Sequence, residues 1–309
     1  MPRYASNWQL IRENMARAIE LIERDIAALQ EAIRAIAAEL HHAYANYLTT
    51  LGQALQKQLI LATYHICTQG YPENFLKLTL NQRQKLQQGI RKLGQEAAEL
   101  LLAYLQNQED EENEENEDNE ENEGNEDNQG VQIDEVISYM LSESSAIPVI
   151  TSTLKNFNPD VSNPIELAKW QQNLEELIQQ ALKQVSHDTN LRLQKASILP
   201  KKLPEPILEA AAAVSEASAE VMPGPPNLLN LVVEIANEQD PEDSKLTQIM
   251  AINLRLGEIE FADTKLSSDR RQIRHILVQL NKVGRDYQKK QRERSISAAE
   301  SAWRASWFE

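Results

Sequence analysis

Apolar residues recur through "MARAIELIERDIAALQEAIRAIAAELHHAYANY" at Met15, Ile19, Ile22, Ile26, Leu29, Ile33, Ile36, Leu40, Ala43 and Tyr47. The gaps alternate between four and three residues, which is the period of a heptad seam on a helix. The spacing predicts one continuous helix, with Ser6 or Asn7 able to cap its start. From Met15 to Tyr47 it would run roughly 50 Å at about 1.5 Å per residue. Placing Ile19, Ile26, Ile33 and Leu40 at position a leaves Ile22, Leu29 and Ile36 at d. Isoleucine in both lines disfavours a simple parallel pair and favours three or more helices. Ala16, Ala18, Ala32 and Ala37 flank the seam where a two-stranded coil carries charges, so a neighbouring helix can approach closely. The stretch reads as one arm of a helical hairpin, bundle or coiled coil.

A return arm follows. "GYPENF" at 70–75 carries turn residues, and Thr79 with Gln82 fits a capping box. Leu86, Ile90, Leu93, Ala97, Leu100 and Tyr104 then resume the apolar spacing, which stops at Leu105. Residues 1–106 therefore form an expected N-terminal helical hairpin or coiled coil.

Residues 131–226 make a helical middle segment. "QIDEVISYMLSE" reads as a short helix and "IPVITSTLKNFNPDVSNP" as a connector. Asn163, Pro164 and Glu166 mark a strong helix start. Leu167, Trp170, Leu174, Leu177, Ala181, Val185 and Leu191 carry that helix toward Pro200. "LPEPILEAAAAVSEASAEVM" suggests another, which "PGPP" at 223–226 breaks. Residues 227–309 form the C-terminal segment. There "NLLNLVVEIANE" is a short apolar element capped by Asn227, and a longer helix begins near Ser244. Its heptad positions are Ile249, Ile252, Leu256, Ile259, Leu266, Ile273, Leu277, Leu280 and Tyr287, interrupted at Asp263 and Arg270. "INLRLGEIEF" also alternates like a strand, so a hairpin competes here; the return of the spacing in register favours helix. The expected fold class is all-α.

Charge changes the picture between 107 and 130. "NQEDEENEENEDNEENEGNEDNQG" holds thirteen carboxylates and no lysine or arginine. Asn recurs at intervals of three, a period that suits neither a helix face nor a strand face. With nothing apolar to bury, the tract reads as a disordered, self-repelling acidic low-complexity linker. The net charge of −16 is unevenly spread: residues 1–106 sum to +2, the tract to −13, 131–264 to −11 and 265–309 to +6. Pairing of the acidic tract with the basic end, within a chain or between copies, is a second reading of the tract.

The basic end clusters Arg285, Lys289, Lys290, Arg292 and Arg294, with Trp303 and Trp307 four residues apart beyond them. Such a helix can dock on protein, or touch phosphates or a lipid surface. The overall acidity weighs against general nucleic-acid binding.

Catalytic chemistry finds little support. Nine scattered glycines include no GxGxxG, no GxxxxGK[ST] and no GxSxG. Glu39 and His42 have the spacing of a helical metal motif, but such sites need a second copy, which the chain lacks. His65 and Cys67 diverge on a helix. With Cys67 the only cysteine, neither an intrachain disulfide nor a zinc cysteine pair can form. No cofactor and no enzymatic activity are expected. "MPRYASNWQLIREN" lacks a signal-peptide core and no apolar run is long enough to span a bilayer, so the expected location is cytoplasmic.

"LRLGEIEFADTKL", the basic helix after it and the ending "AESAWRASWF" resemble an uncharacterised family of cyanobacterial helical proteins. The similarity lies mainly in the C-terminal sixty residues or so. It implies a bacterial protein, and assigns no activity and no functional residue. The expected role is a helical interaction or scaffolding protein that self-associates through Ile19, Ile22, Ile26, Leu29, Ile33, Ile36 and Leu40. A peripheral binder of nucleic acid or membrane through the basic helix is the alternative, and a metal-dependent bundle enzyme a more distant one.

Overall fold

A computed structural model describes residues 2–117, 159–200, 225–237 and 240–306. The chain is built from α1 (Pro2–His65), a π-helical turn (Ile66–Gly70), α2 (Pro72–Lys77), α3 (Leu80–Glu117), α4 (Pro164–Lys195), strands β1 (Leu228–Asn237) and β2 (Asp240–Ile252), α5 (Leu256–Ala262) and α6 (Thr264–Ser306). The all-α class holds, with one two-stranded antiparallel hairpin among the described residues. The helix expected in "QIDEVISYMLSE", the connector after it as far as residue 158, the helix expected in "LPEPILEAAAAVSEASAEVM", residues 118–130 of the acidic tract and Trp307 lie outside the described residues.

Local signals explain most helix ends. Thr79 and Gln82 close the expected capping box: the Thr79 N–H donates to Gln82 Oε1 at 2.8 Å, and the Gln82 N–H donates to Thr79 Oγ1 at 3.3 Å. Asn163 caps α4 by accepting from the Ile165 N–H at 3.1 Å, and Pro164 occupies the first turn. The Glu166 carboxylate reaches back to the Asp160 N–H at 2.8 Å and to Asn163 Nδ2 at 3.1 Å. The apolar spacing of the return arm ends at Leu105, whereas α3 itself continues to Glu117.

The short element after Asn227 is a strand, and the longer helix expected from near Ser244 is a strand as far as Ile252 and helical only from Leu256. Residues 228–237 and 240–252 pair antiparallel, with Leu228 opposite Ile252, Leu229 opposite Ala251 and Leu231 opposite Ile249. The strand alternation at "INLRLGEIEF" is not where the hairpin lies: that stretch holds only the last residue of β2 and then α5, and the two strands pair upstream of it. Ile249 and Ile252 suit a heptad, but the β-branched residues Val232, Val233, Ile235, Thr247, Ile249 and Ile252 suit a pleated ribbon better. Asn227 is no helix cap. It sits at φ 61°, fully buried, and turns the chain into β1. Its N–H donates to Glu258, its Oδ1 accepts from the Arg255 N–H at 3.0 Å and its Nδ2 donates to Gln58 Oε1 at 3.2 Å. Asp263, expected as an interruption, ends α5 and starts α6: its Oδ1 accepts from the Lys265 and Leu266 N–H groups at 3.0 and 3.1 Å.

The described residues fall into two compact units. One is drawn from Met1–Tyr44, Asn158–Asn173 and Arg270–Glu309, the other from Ala45–Phe157 and Leu174–Asp269. In the first, buried apolar side chains come from α1 (Ile33, Leu40, Tyr44), α4 (Leu167, Trp170) and α6 (Ile273, Ile276, Leu280). Trp170 meets Tyr44 edge-on with ring centroids 5.6 Å apart and stacks with His41 at 6.1 Å. In the second, α1 and α3 are the antiparallel arms of a hairpin: Gly52 faces Ala98 and Gly94 faces Gln56. The hairpin ribbon enters this unit at its base, where Leu228, Leu229, Ile249, Ala251 and Ile252 are buried. Side chains from α4 and from the link before α2 pair with backbone groups at the end of β2 and just after it. Tyr71 Oη accepts from the Met250 N–H at 3.0 Å, Asn190 brackets Ile252, and Ser186 Oγ accepts from the Leu254 N–H at 2.9 Å. At Met250 and Ile252 the end of the strand edge is thereby paired without a third strand.

Candidate interaction surfaces

The heptad seam divides into two parts. Ile33 and Leu40 are fully buried, and Ile26 and Ile36 are also buried, so these four belong to the chain's own core. Ile19, Ile22 and Leu29, on the same seam, are only half-buried. Leu21 beside them is 59 % exposed. Helix α6 contributes to this end of the unit through Lys290, whose ammonium pairs with Asp25 at 3.0 Å and with Glu293 at 3.1 Å. These carboxylates hold the Lys290 pKa above its ordinary value, the Asp25 hydrogen bond being the larger cause.

The remaining basic candidates face outward. Arg285, Lys289, Arg292 and Arg294 are exposed, and Trp303 is 66 % exposed. The structure adds residues that the expected cluster omitted. Val278, Lys282, Arg285, Lys289, Arg292 and Ile296 are all exposed and follow one another at gaps of four, three, four, three and four. They form a second heptad line on α6, facing away from buried Ile273, Ile276 and Leu280. No carboxylate interrupts it. Arg285 Nε donates to the Asn281 carbonyl at 3.2 Å. None of these four cations is in a salt bridge among the described residues. The signal was present in the sequence, but cations at heptad spacing do not register in a search for apolar periodicity.

Glu39 and His42 are exposed on α1, and His41 stacks with Trp170. Among the described residues no group of three His, Cys, Asp or Glu side chains could hold a metal. Cys67 is buried in the π-helical turn, and burial pushes its thiol up to about 11. Among the described residues no helix is long and apolar enough to cross a membrane.

No family model, curated protein or solved structure matches the chain.

Proposed function

We propose that the chain is a non-enzymatic helical scaffolding protein that associates with its own copies through the α1 face carrying Ile19, Ile22 and Leu29. The observation that carries this reading is the change in burial along one continuous seam. Ile33 and Leu40 are covered within the chain, while Ile19, Ile22 and Leu29 remain half-open. Isoleucine at both heptad lines suits a layer of three or more helices, and a second copy supplies the missing ones. Burial of that apolar surface drives the association.

Replacing Ile19 and Ile22 together by Asp tests the proposal. The full-length variant should run as a single chain in size-exclusion chromatography with light scattering, with its helical circular dichroism retained. Both positions are already partly open, so the fold loses little. A variant that stays folded and assembles like the parent chain would remove this face from the mechanism.

A further inference from the structure

The second heptad line on α6 has a composition that a solvated face does not require. Lys282, Arg285, Lys289 and Arg292 are consecutive members of the line, all exposed and none salt-bridged among the described residues, with Val278 before them and Ile296 after. Val278 is 67 % and Ile296 51 % exposed. From Val278 to Ile296 the line runs about 27 Å at about 1.5 Å per residue.

We infer that this line docks an acidic amphipathic helix of a partner protein, laid lengthwise along α6, with carboxylates opposite the four cations and apolar side chains over Val278 and Ile296. Three features select that occupant. The alternating gaps of four and three match the way one helix meets another along its length. The four cations are in no salt bridge among the described residues and outnumber the two carboxylates beside them, Asp286 and Glu293, of which Glu293 pairs with Lys290; the surplus favours negative charge from outside, and like charges on a partner would be repelled. Apolar residues at both ends give a helix two anchors, whereas a phosphate backbone has no use for them. A lipid surface needs a continuous apolar face, and here the middle of the line is entirely cationic. The face lies away from the buried side of α6 and does not depend on the association proposed through Ile19 and Ile22.

The test uses the full-length chain and a fluorescent synthetic helix bearing glutamates between two leucine-containing ends. Three comparison probes are a peptide of the chain's own residues 107–130, a DNA duplex and phosphatidylserine vesicles. The amphipathic peptide should bind in a saturable and salt-sensitive way. Lys282→Glu with Lys289→Glu should weaken binding by about tenfold or more, since two attractions become repulsions. Val278→Asp with Ile296→Asp should weaken it as well. All four positions are exposed, so the variants keep the fold, which circular dichroism verifies. Failure of the parent chain to bind the amphipathic peptide overturns the inference. Indifference to the charge reversals does so too. Equal binding of the 107–130 peptide, which lacks apolar residues, would remove the apolar anchors, and tighter binding of DNA or vesicles would assign the face to phosphate.

Discussion

Asn190 holds Ile252 by both ends of its amide. Its Nδ2 donates to the Ile252 carbonyl at 2.9 Å and its Oδ1 accepts from the Ile252 N–H at 2.9 Å. The side chain thus does for the end of β2 what a neighbouring strand would do. Asn190 is 8 % exposed and Ile252 2 %, so water cannot replace the lost partners. Replacing Asn190 by Leu leaves a buried N–H and a buried carbonyl unpaired. The expected cost is about 1–3 kcal/mol, read as a lower urea midpoint with an unchanged slope. Asn190→Asp keeps the acceptor and loses the donor, so it should also destabilise.

Gly52 and Ala98 set how closely the arms of the hairpin approach. A Cβ at Gly52 would lie 2.6 Å from the Ala98 Cβ. Gly→Ala inside a helix normally gains about 0.5–1 kcal/mol from backbone entropy. Here overpacking of about 1–3 kcal/mol should dominate, so Gly52→Ala should destabilise. Adding Ala98→Gly should recover much of the loss. Gly257, with nothing within 4 Å of its added Cβ, lies in α5 and serves as the control that should not lose stability when changed to Ala. Thermal melts of the three variants beside the parent chain give the comparison.

Asp263 starts α6 by accepting two backbone N–H groups. Asp263→Ala should cost about 0.5–2 kcal/mol, and Asp263→Asn should recover most of it because the acceptor oxygen remains. Chemical denaturation of the two variants separates the hydrogen-bonding role from the charge.

The elements that could be read from sequence are those whose information is local. The seam from Ile19 to Leu40 and the caps at Thr79 and Asn163 depend on residues within a turn or two of each other. The hairpin was missed because Asn227, Asp263 and the isoleucines each have a valid helical interpretation. Only contacts with residues far along the chain, such as Gln58 with Asn227 and Asn190 with Ile252, select the ribbon. The candidate surface was legible in the same limited sense. A heptad seam announces that Ile33 and Leu40 will be covered, but not whether the covering helix belongs to the same chain. The line from Lys282 to Arg292 was visible as a basic cluster. Its single-faced arrangement emerged once Ile276 and Leu280 were seen to bury the opposite side.

Burial makes Cys67 inert. It is 5 % exposed, and loss of hydration raises its pKa to about 11. At pH 8 only about one thiol in a thousand would be ionised on that basis. Alkylation by iodoacetamide should be slow in the native protein and rapid in urea. It should accelerate as pH rises toward the thiol's pKa, because deprotonation generates the nucleophile.

Sedimentation equilibrium of the unmodified full-length chain over a wide concentration range tests the self-association claim most directly. The account predicts a mass that rises with concentration to a whole multiple of 35.1 kDa, and that falls back to one chain when Ile19 and Ile22 are both Asp. A mass of 35.1 kDa at every concentration would contradict it, and would leave the open end of the α1 seam without a second copy to cover it.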